Sequence, residues 1–189
     1  MVFGKSTLLL AMLCLIGNGL KGQNRQLLKI VRSEVTFVSD APLERITAMN
    51  TSCSGLVDID ARSFAVRVPI REFEGFNSPL QREHFNENYL VSREWPNATF
   101  TGRIIETIDL LKDGTYAVRA KGALVVRGVA QERIIPCSII VTDEGVRISS
   151  LFDIQLADHE VRIPRIVQQK VASTVQVKLD LLFKTENEK

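Results

Sequence analysis

The chain has 189 residues, 45% hydrophobic and 24% charged, with 24 Lys and Arg against 22 Asp and Glu. That composition suits one globular domain burying roughly 70% of its extended-chain surface and lacks the charge excess of a disordered chain. The cations are scattered, with no block and no interleaving with aromatics, so nucleic-acid binding has no electrostatic support.

Residues 1–22 stand apart. Lys5 gives a positive start, 8–16 (LLLAMLCLI) is an unbroken apolar run, and Gly17, Asn18 and Gly19 follow. Such a run rises only about 13 Å as a helix, far short of the roughly 20 residues that span a bilayer. It reads as the apolar region of a secretory signal peptide, with 23–189 as the mature domain. Leu13 is too bulky for a lipobox at Cys14. Losing Lys5 and Lys21 brings the basic residues to 22, equal to the 22 acidic ones, so the mature chain is neutral. No later segment is apolar enough to span a membrane, and the expected location is periplasmic or secreted.

From residue 31 onward the apolar residues alternate. Val31, Ser33, Val35 and Phe37 share one phase against Arg32, Glu34 and Thr36, which is the pattern of a half-buried strand. SDAPLE (39–44) interrupts it, and Pro42 cannot donate to a ladder. Gly55, Val57 and Ile59 alternate next, then Phe64, Val66, Val68 and Ile70. Beyond a central segment, Phe100, Gly102, Ile104 and Ile108 lie in phase. Lys112-Asp113-Gly114 predicts a hairpin turn into Tyr116, Val118, Ala120, Gly122, Leu124 and Val126. Arg127-Gly128 predicts another turn, into 129–141. Asp143-Glu144-Gly145 predicts a third, into Val146, Ile148, Ser150, Phe152, Ile154 and Leu156. Val175, Val177, Leu179, Leu181 and Phe183 form the last strand. Helix candidates are confined to 79–90 and 164–172, between strands.

About eight strands joined by short turns can pair only antiparallel. One apolar face per strand implies one shared interior, which a sandwich or a barrel would satisfy; a barrel also removes both sheet edges. The in-phase glycines 55, 102 and 122 mark either bends or places that need room, and the pattern leaves both open.

Three segments carry a resemblance. IVRSEVTF (30–37) is similar to the first strand of YceI-like, polyisoprenoid-binding proteins, with Arg32 where histidine is frequent. FNSPLQREHFNENYL (76–90) resembles their RDxHL-type segment through Glu83, His84, Phe85 and Tyr89, with Gln81 where many members have arginine. WPNATFTG (95–102) matches their aromatic-Pro-x-Ala-x-Phe-x-Gly element. The resemblance extends over 28–183. It implies an all-β, lipocalin-like antiparallel barrel of about eight strands with one or two short helices, whose interior can hold an isoprenoid chain.

The chemistry-bearing residues point elsewhere than catalysis. There is no G-x-S-x-G, no phosphate-cradling glycine loop, and no acid partner for either histidine. Asp58 and Asp60 share a strand face but read as solvated. His84 and Glu87 could share a helical face, yet zinc needs third and fourth ligands that the sequence does not supply. A hydrogen bond capping the 79–90 segment is the expectation for His84, and a turn position for His159. Cys53 and Cys137 are expected as buried free thiols, although an oxidising compartment would permit a bridge. The sequons at Asn50 and Asn97 are read as chance. No catalytic residue, metal or cofactor is expected.

The leading expectation is therefore a carrier or sequestering protein for an apolar, lipid-like ligand, by the resemblance an isoprenoid. Its wall would come from the inward phases, at Phe64, Val66, Phe100, Tyr116, Leu124, Phe152 and Val177. Phe73, Phe76, Phe85 and Tyr89 would close one mouth. The alternative is a structural or partner-binding envelope protein whose barrel is filled by side chains.

Overall fold

The computed structural model describes residues 26–185. The expected leader, 1–22, lies outside them. Nine strands follow one another: β1 Leu27–Asp40, β2 Arg45–Asn50, β3 Ser54–Asp58, β4 Ser63–Pro69, β5 Asn97–Ile104, β6 Gly114–Val126, β7 Val129–Thr142, β8 Gly145–Gln155 and β9 Thr174–Thr185. Every pairing is antiparallel, and β9 returns to β1 from Leu28↔Thr185 to Val38↔Gln176, which closes a barrel. The barrel has eight strand positions, because β2 and β3 share one edge of β1. β3 pairs with Leu27, Leu28 and Lys29, and β2 pairs with 35–40. Short β2 is the strand the alternation did not single out.

Two expectations of phase and turn are corrected. Val31 is not inward: the β1–β9 register shifts between Ile30 and Arg32, and Val31 is 55% exposed at this bulge. The extra residue lets Leu28 face the core on one side of the bulge and Ser33 and Val35 on the other. Lys112-Asp113-Gly114 does not make a tight hairpin. It ends a longer connection, 105–113, in which Leu110 is buried and Ile108 packs on the core. Those two apolar side chains require a loop that folds over the barrel end. The turns at Arg127-Gly128 and Asp143-Glu144 are as tight as expected, with Thr142 opposite Gly145 and Val126 opposite Val129. Arg127 and Gly128 both have positive φ (51° and 75°), the geometry of a type I′ hairpin.

Gly102 and Gly122 are directly paired across β5 and β6. A Cβ on Gly102 would overlap the Lys121 carbonyl, and one on Gly122 would overlap the Thr101 carbonyl. Close backbone approach accounts for both glycines, and neither borders the barrel cavity.

The β7–β8 seam is incomplete. Ladder pairing covers only Ser138↔Ser149 to Thr142↔Gly145. The next position facing β8 is Pro136, which has no N–H to give. Beyond it, side chains span the gap. Ser150 Oγ donates to the Pro136 carbonyl (2.6 Å), the Arg133 guanidinium to the Asp153 carbonyl (2.7 Å), and Gln131 to the Asp158 carbonyl (2.6 Å).

The two ends of the barrel differ. Leu28, Val57, Ile104, Val118, Ile139, Val146 and Phe183 fill one end, all buried in a single core cluster. The other end is hollow. Its lid is Pro79–His84 (α1), a helix continued by the π-helical turn Phe85–Tyr89. Ser78 caps it, its Oγ accepting from the Gln81 N–H at 3.2 Å, and Pro79 occupies the first turn, where its missing N–H costs nothing. The second expected helix, 164–172, reduces to one 3-10 turn, Arg165–Val167. Among the described residues, no helix is long and apolar enough to cross a membrane.

Candidate functional site

The hollow end encloses a cavity of about 410 Å³. Val35 and Phe37 of β1, Val66 and Val68 of β4, Ala98 and Phe100 of β5, Phe152 and Ile154 of β8, and Val175, Val177, Leu179 and Leu181 of β9 line it. These are the period-two inward positions of each strand. Phe85 and Tyr89 close the cavity from the lid, Phe73, Phe76 and Leu90 from the segments flanking it, and Leu156, Val161, Val167 and Val171 from the β8–β9 connection. A volume of this size, lined almost wholly by hydrocarbon, is typical of a small-molecule site.

Aromatic rings join lid to wall. Phe37 stacks on Phe85, meets Phe73 edge-on at 5.3 Å and lies 5.9 Å from Phe76. Phe85 in turn contacts Phe73 at 5.7 Å and Phe76 at 5.1 Å. The wide π turn, with the Leu90 N–H donating to the Phe85 carbonyl, sets both Phe85 and Tyr89 toward the cavity. Burial pushes the Tyr89 hydroxyl above its ordinary pKa, so it stays protonated at neutral pH.

Few polar residues line the cavity; besides Ser39, whose hydroxyl accepts from the Ala172 N–H, and Thr99, they belong to the rim. Glu44, Gln81, His84 and Lys170 border the mouth. Gln81 Nε2 donates to Glu44 Oε1 at 2.5 Å, and Gln81 Oε1 accepts from the Asn77 N–H at 3.1 Å. Asn77 also donates to the Arg45 carbonyl at 3.0 Å. Gln81, standing where relatives often have arginine, thus ties the lid to the β1–β2 turn without adding a charge.

The YceI-like domain model matches residues 28–183. The chain belongs to the YceI-like family. Its barrel is similar to the crystal structure of BcnA from Burkholderia cenocepacia (18% identity, TM-score 0.65, covering 79% of this chain and 94% of that one). It is also similar to a polyisoprenoid-binding domain from Saccharophagus degradans implicated in plant cell wall breakdown (13% identity, TM-score 0.69, 85% and 99% covered). A YceI protein of Campylobacter jejuni matches at 16% identity and TM-score 0.57, with 72% and 82% covered. At such identities the likeness speaks for the fold. No curated protein matches the sequence.

Within this YceI-like barrel, eight of the eleven residues singled out from sequence border the cavity: Val66, Phe73, Phe76, Phe85, Tyr89, Phe100, Phe152 and Val177. The other three lie elsewhere. Phe64 packs at 4.9 Å on the far side of Phe100, Leu124 is buried in the core, and Tyr116 sits toward the filled end, its hydroxyl donating to the Lys112 carbonyl. All three are on inward phases; Phe64 and Tyr116 differ from the wall residues in depth along the barrel, which alternation does not encode, whereas Leu124 is the direct β6 partner of Phe100 and still does not border the cavity. Phe37 is the main omission. It lies at the centre of the ring cluster, and its phase was legible in β1.

Several polar positions also depart from expectation. The lid is capped by Ser78, and His84 stands at the mouth. His159 lies in a 3-10 turn but is fully buried, with Nδ1 3.0 Å from the Val129 carbonyl. Cys53 and Cys137 are both free, and burial raises both thiols above their usual pKa. Asn50 is completely buried, donating to the Pro69 carbonyl at 2.7 Å and accepting from the Ser52 N–H at 2.8 Å. Its amide has no room for a glycan.

Proposed function

We propose that the protein is a carrier or sequestering protein for an apolar, lipid-like ligand, an isoprenoid in the first instance, held in the hollow end of the barrel. The observation that carries this is the 410 Å³ cavity, whose wall is almost wholly hydrocarbon from seven strands and whose charged groups lie at the rim. Apolar burial contributes about 25 cal/mol per Å² removed from water, and the cavity offers no charged group at depth to oppose it. Family membership and the polyisoprenoid-binding description of the Saccharophagus domain support the ligand class. Binding, not catalysis, is the role that fits a wall without an acid-base pair or a nucleophile beside a base.

The place of action in this proposal is outside the cytoplasm, with residues 1–22 as a cleaved leader and 23–189 as the mature domain. The basic start and short apolar run of the leader support it.

Native mass spectrometry of the purified protein, before and after adding farnesol, tests the reading. A co-purifying lipid mass or stoichiometric farnesol uptake is expected. A clean apo mass that stays unchanged on adding farnesol and longer isoprenols would sink it in favour of a barrel with a structural or partner-binding role.

A further inference from the structure

The rim of the cavity carries the most exposed large apolar side chain of the described residues, Ile166, at 91%. Leu43, in the β1–β2 turn, is 67% exposed, and Leu80, in the lid helix, is 57% exposed. The three come from the three segments that meet at the mouth. The Leu43 N–H donates to the Gln169 carbonyl at 2.9 Å, which holds the β1–β2 turn against the Ile166 segment. Gln81, next to Leu80, holds Glu44, next to Leu43. Soluble surfaces tolerate single exposed apolar residues, but three around one opening form a feature.

Charge singles out the same side. The stretch 162–170 (RIPRIVQQK) contains Arg162, Arg165 and Lys170 and no carboxylate, in a chain whose charges otherwise nearly balance. All three cations are exposed. Across the mouth, Arg82 and His84 stand beside Glu83 and Glu87, so the cationic excess belongs to the 162–170 side alone. Val167, Lys170 and Val171 line the cavity. Whatever sits on this stretch therefore sits at the entrance.

We propose that the mouth docks on an anionic lipid bilayer: Ile166, with Leu43 and Leu80, enters the headgroup region, and Arg162, Arg165 and Lys170 meet the lipid phosphates. Apolar tips flanked on one side by cations are the chemistry of an interfacial contact, since each cation near an anionic surface and each buried side chain adds a modest increment. Such docking would open the cavity toward the membrane and spare an apolar ligand passage through water. This rests on the carrier reading for its purpose, though not for its physics.

The test is co-sedimentation of the purified protein with phosphatidylglycerol-containing vesicles and with pure phosphatidylcholine vesicles, beside farnesol titration in vesicle-free solution. Binding to the anionic vesicles should fall about tenfold in Ile166→Asp and about fivefold in Arg165→Gln, and should weaken with salt. Leu151→Asp, changing an apolar residue 56% exposed on the barrel wall, should bind as wild type. Farnesol uptake should persist in all three, since none of these residues borders the cavity. No anionic-vesicle binding by the wild type, or equal losses in Leu151→Asp and Ile166→Asp, overturns the proposal. A wild-type dimer that Ile166→Asp dissociates, with vesicle binding unaltered, overturns it too and assigns the patch to self-association. Vesicle docking through Ile166 without farnesol uptake would uphold the docking surface while the carrier reading fails.

Discussion

The ring of Phe37 on the barrel wall lies face to face with that of Phe85 on the lid, 5.3 Å between centroids and 12° between planes. Phe37 belongs to a strand held on both sides by ladders, whereas the lid is joined to the barrel by side chains. The stack is therefore a main tie between them. Aromatic pairs contribute about 0.5–1.5 kcal/mol beyond area burial. Phe85→Ala should cost about 2–3 kcal/mol of stability, less than a fully buried ring, and should speed isoprenol release. A double-mutant cycle with Phe37→Ala should return a coupling near 1 kcal/mol; strict additivity would mean that the rings do not act together.

Gly102 and Gly122 make a sharper prediction about the frame. A methyl group at either position meets the opposing strand's carbonyl, which is backbone and cannot swing aside. Gly122→Ala and Gly102→Ala should each destabilise the barrel by about 3 kcal/mol or more, read from urea midpoints. Gly75→Ala is the contrast. Its φ of 94° penalises a side chain, but its Cβ would meet nothing closer than 3.8 Å, so the loss should be smaller. Gly102 and Gly122 lie outside the positive-φ region, so losses no larger than that of Gly75→Ala would show that the opposing strand yields to a methyl group.

How much of this was legible in the sequence follows from what each residue must satisfy. Strand positions face in or out by a local rule, and Val66, Phe100, Phe152 and Val177 obeyed it. Depth in the barrel is not local, so Tyr116 looked equivalent to Phe100 although it lies toward the filled end; Leu124, the direct partner of Phe100 across β5 and β6, shares its phase and still does not border the cavity. Val31 misled because one bulged residue shifts the phase, and nothing in IVRSEV marks it. Val161, Val167 and Val171 were invisible as wall residues because the β8–β9 connection has no repeat; only packing across the mouth brings them in. Pro136 was a readable warning of a broken ladder, within a run that otherwise reads as a continuous strand.

The cysteines predict a pH dependence. Burial is the main cause of their raised pKa values, with hydrogen bonds involving Ser33 and Ser150 partly opposing it. The folded chain keeps these thiol protons to higher pH than the unfolded chain, whose thiols ionise near about pH 8.5. Above that point the unfolded state binds fewer protons, so stability is full below it and falls as pH rises through the folded values. Urea midpoints should drop between about pH 7 and about pH 10, and less steeply in the Cys53→Val, Cys137→Val double variant. Parallel profiles for the two proteins would remove the thiols from the account.

Hydrogen exchange should find the β7–β8 seam. Alternate residues of β8 face β7, and the carbonyl of Asp153 does so, since it accepts from Arg133. Leu151 shares that side, past the last ladder pair at Ser149. The amides of Leu151 and Asp153 should exchange well before those of Ser150 and Phe152, which face the continuous β9 ladder. Uniform protection along β8 would mean that the seam is sealed in solution.

Cavity size sets a length preference for the ligand. A methylene group needs about as much room as a water molecule in the liquid, roughly 30 Å³, so 410 Å³ holds on the order of fourteen carbons. That is about three isoprene units. Each unit of five carbons offers at most about 3–4 kcal/mol of burial, and chain ordering offsets much of it. Affinity should thus rise from geraniol to farnesol and then level off, because additional units would project past the lid into water. Salt should leave these affinities unchanged, as the wall is uncharged. Val177→Phe, which fills part of the cavity beside Phe152, should move the plateau to a shorter chain without loss of fold. If affinity keeps climbing through much longer prenols in the wild type, the filled end must open to admit them, and a cavity confined to one end is the wrong description of the bound state.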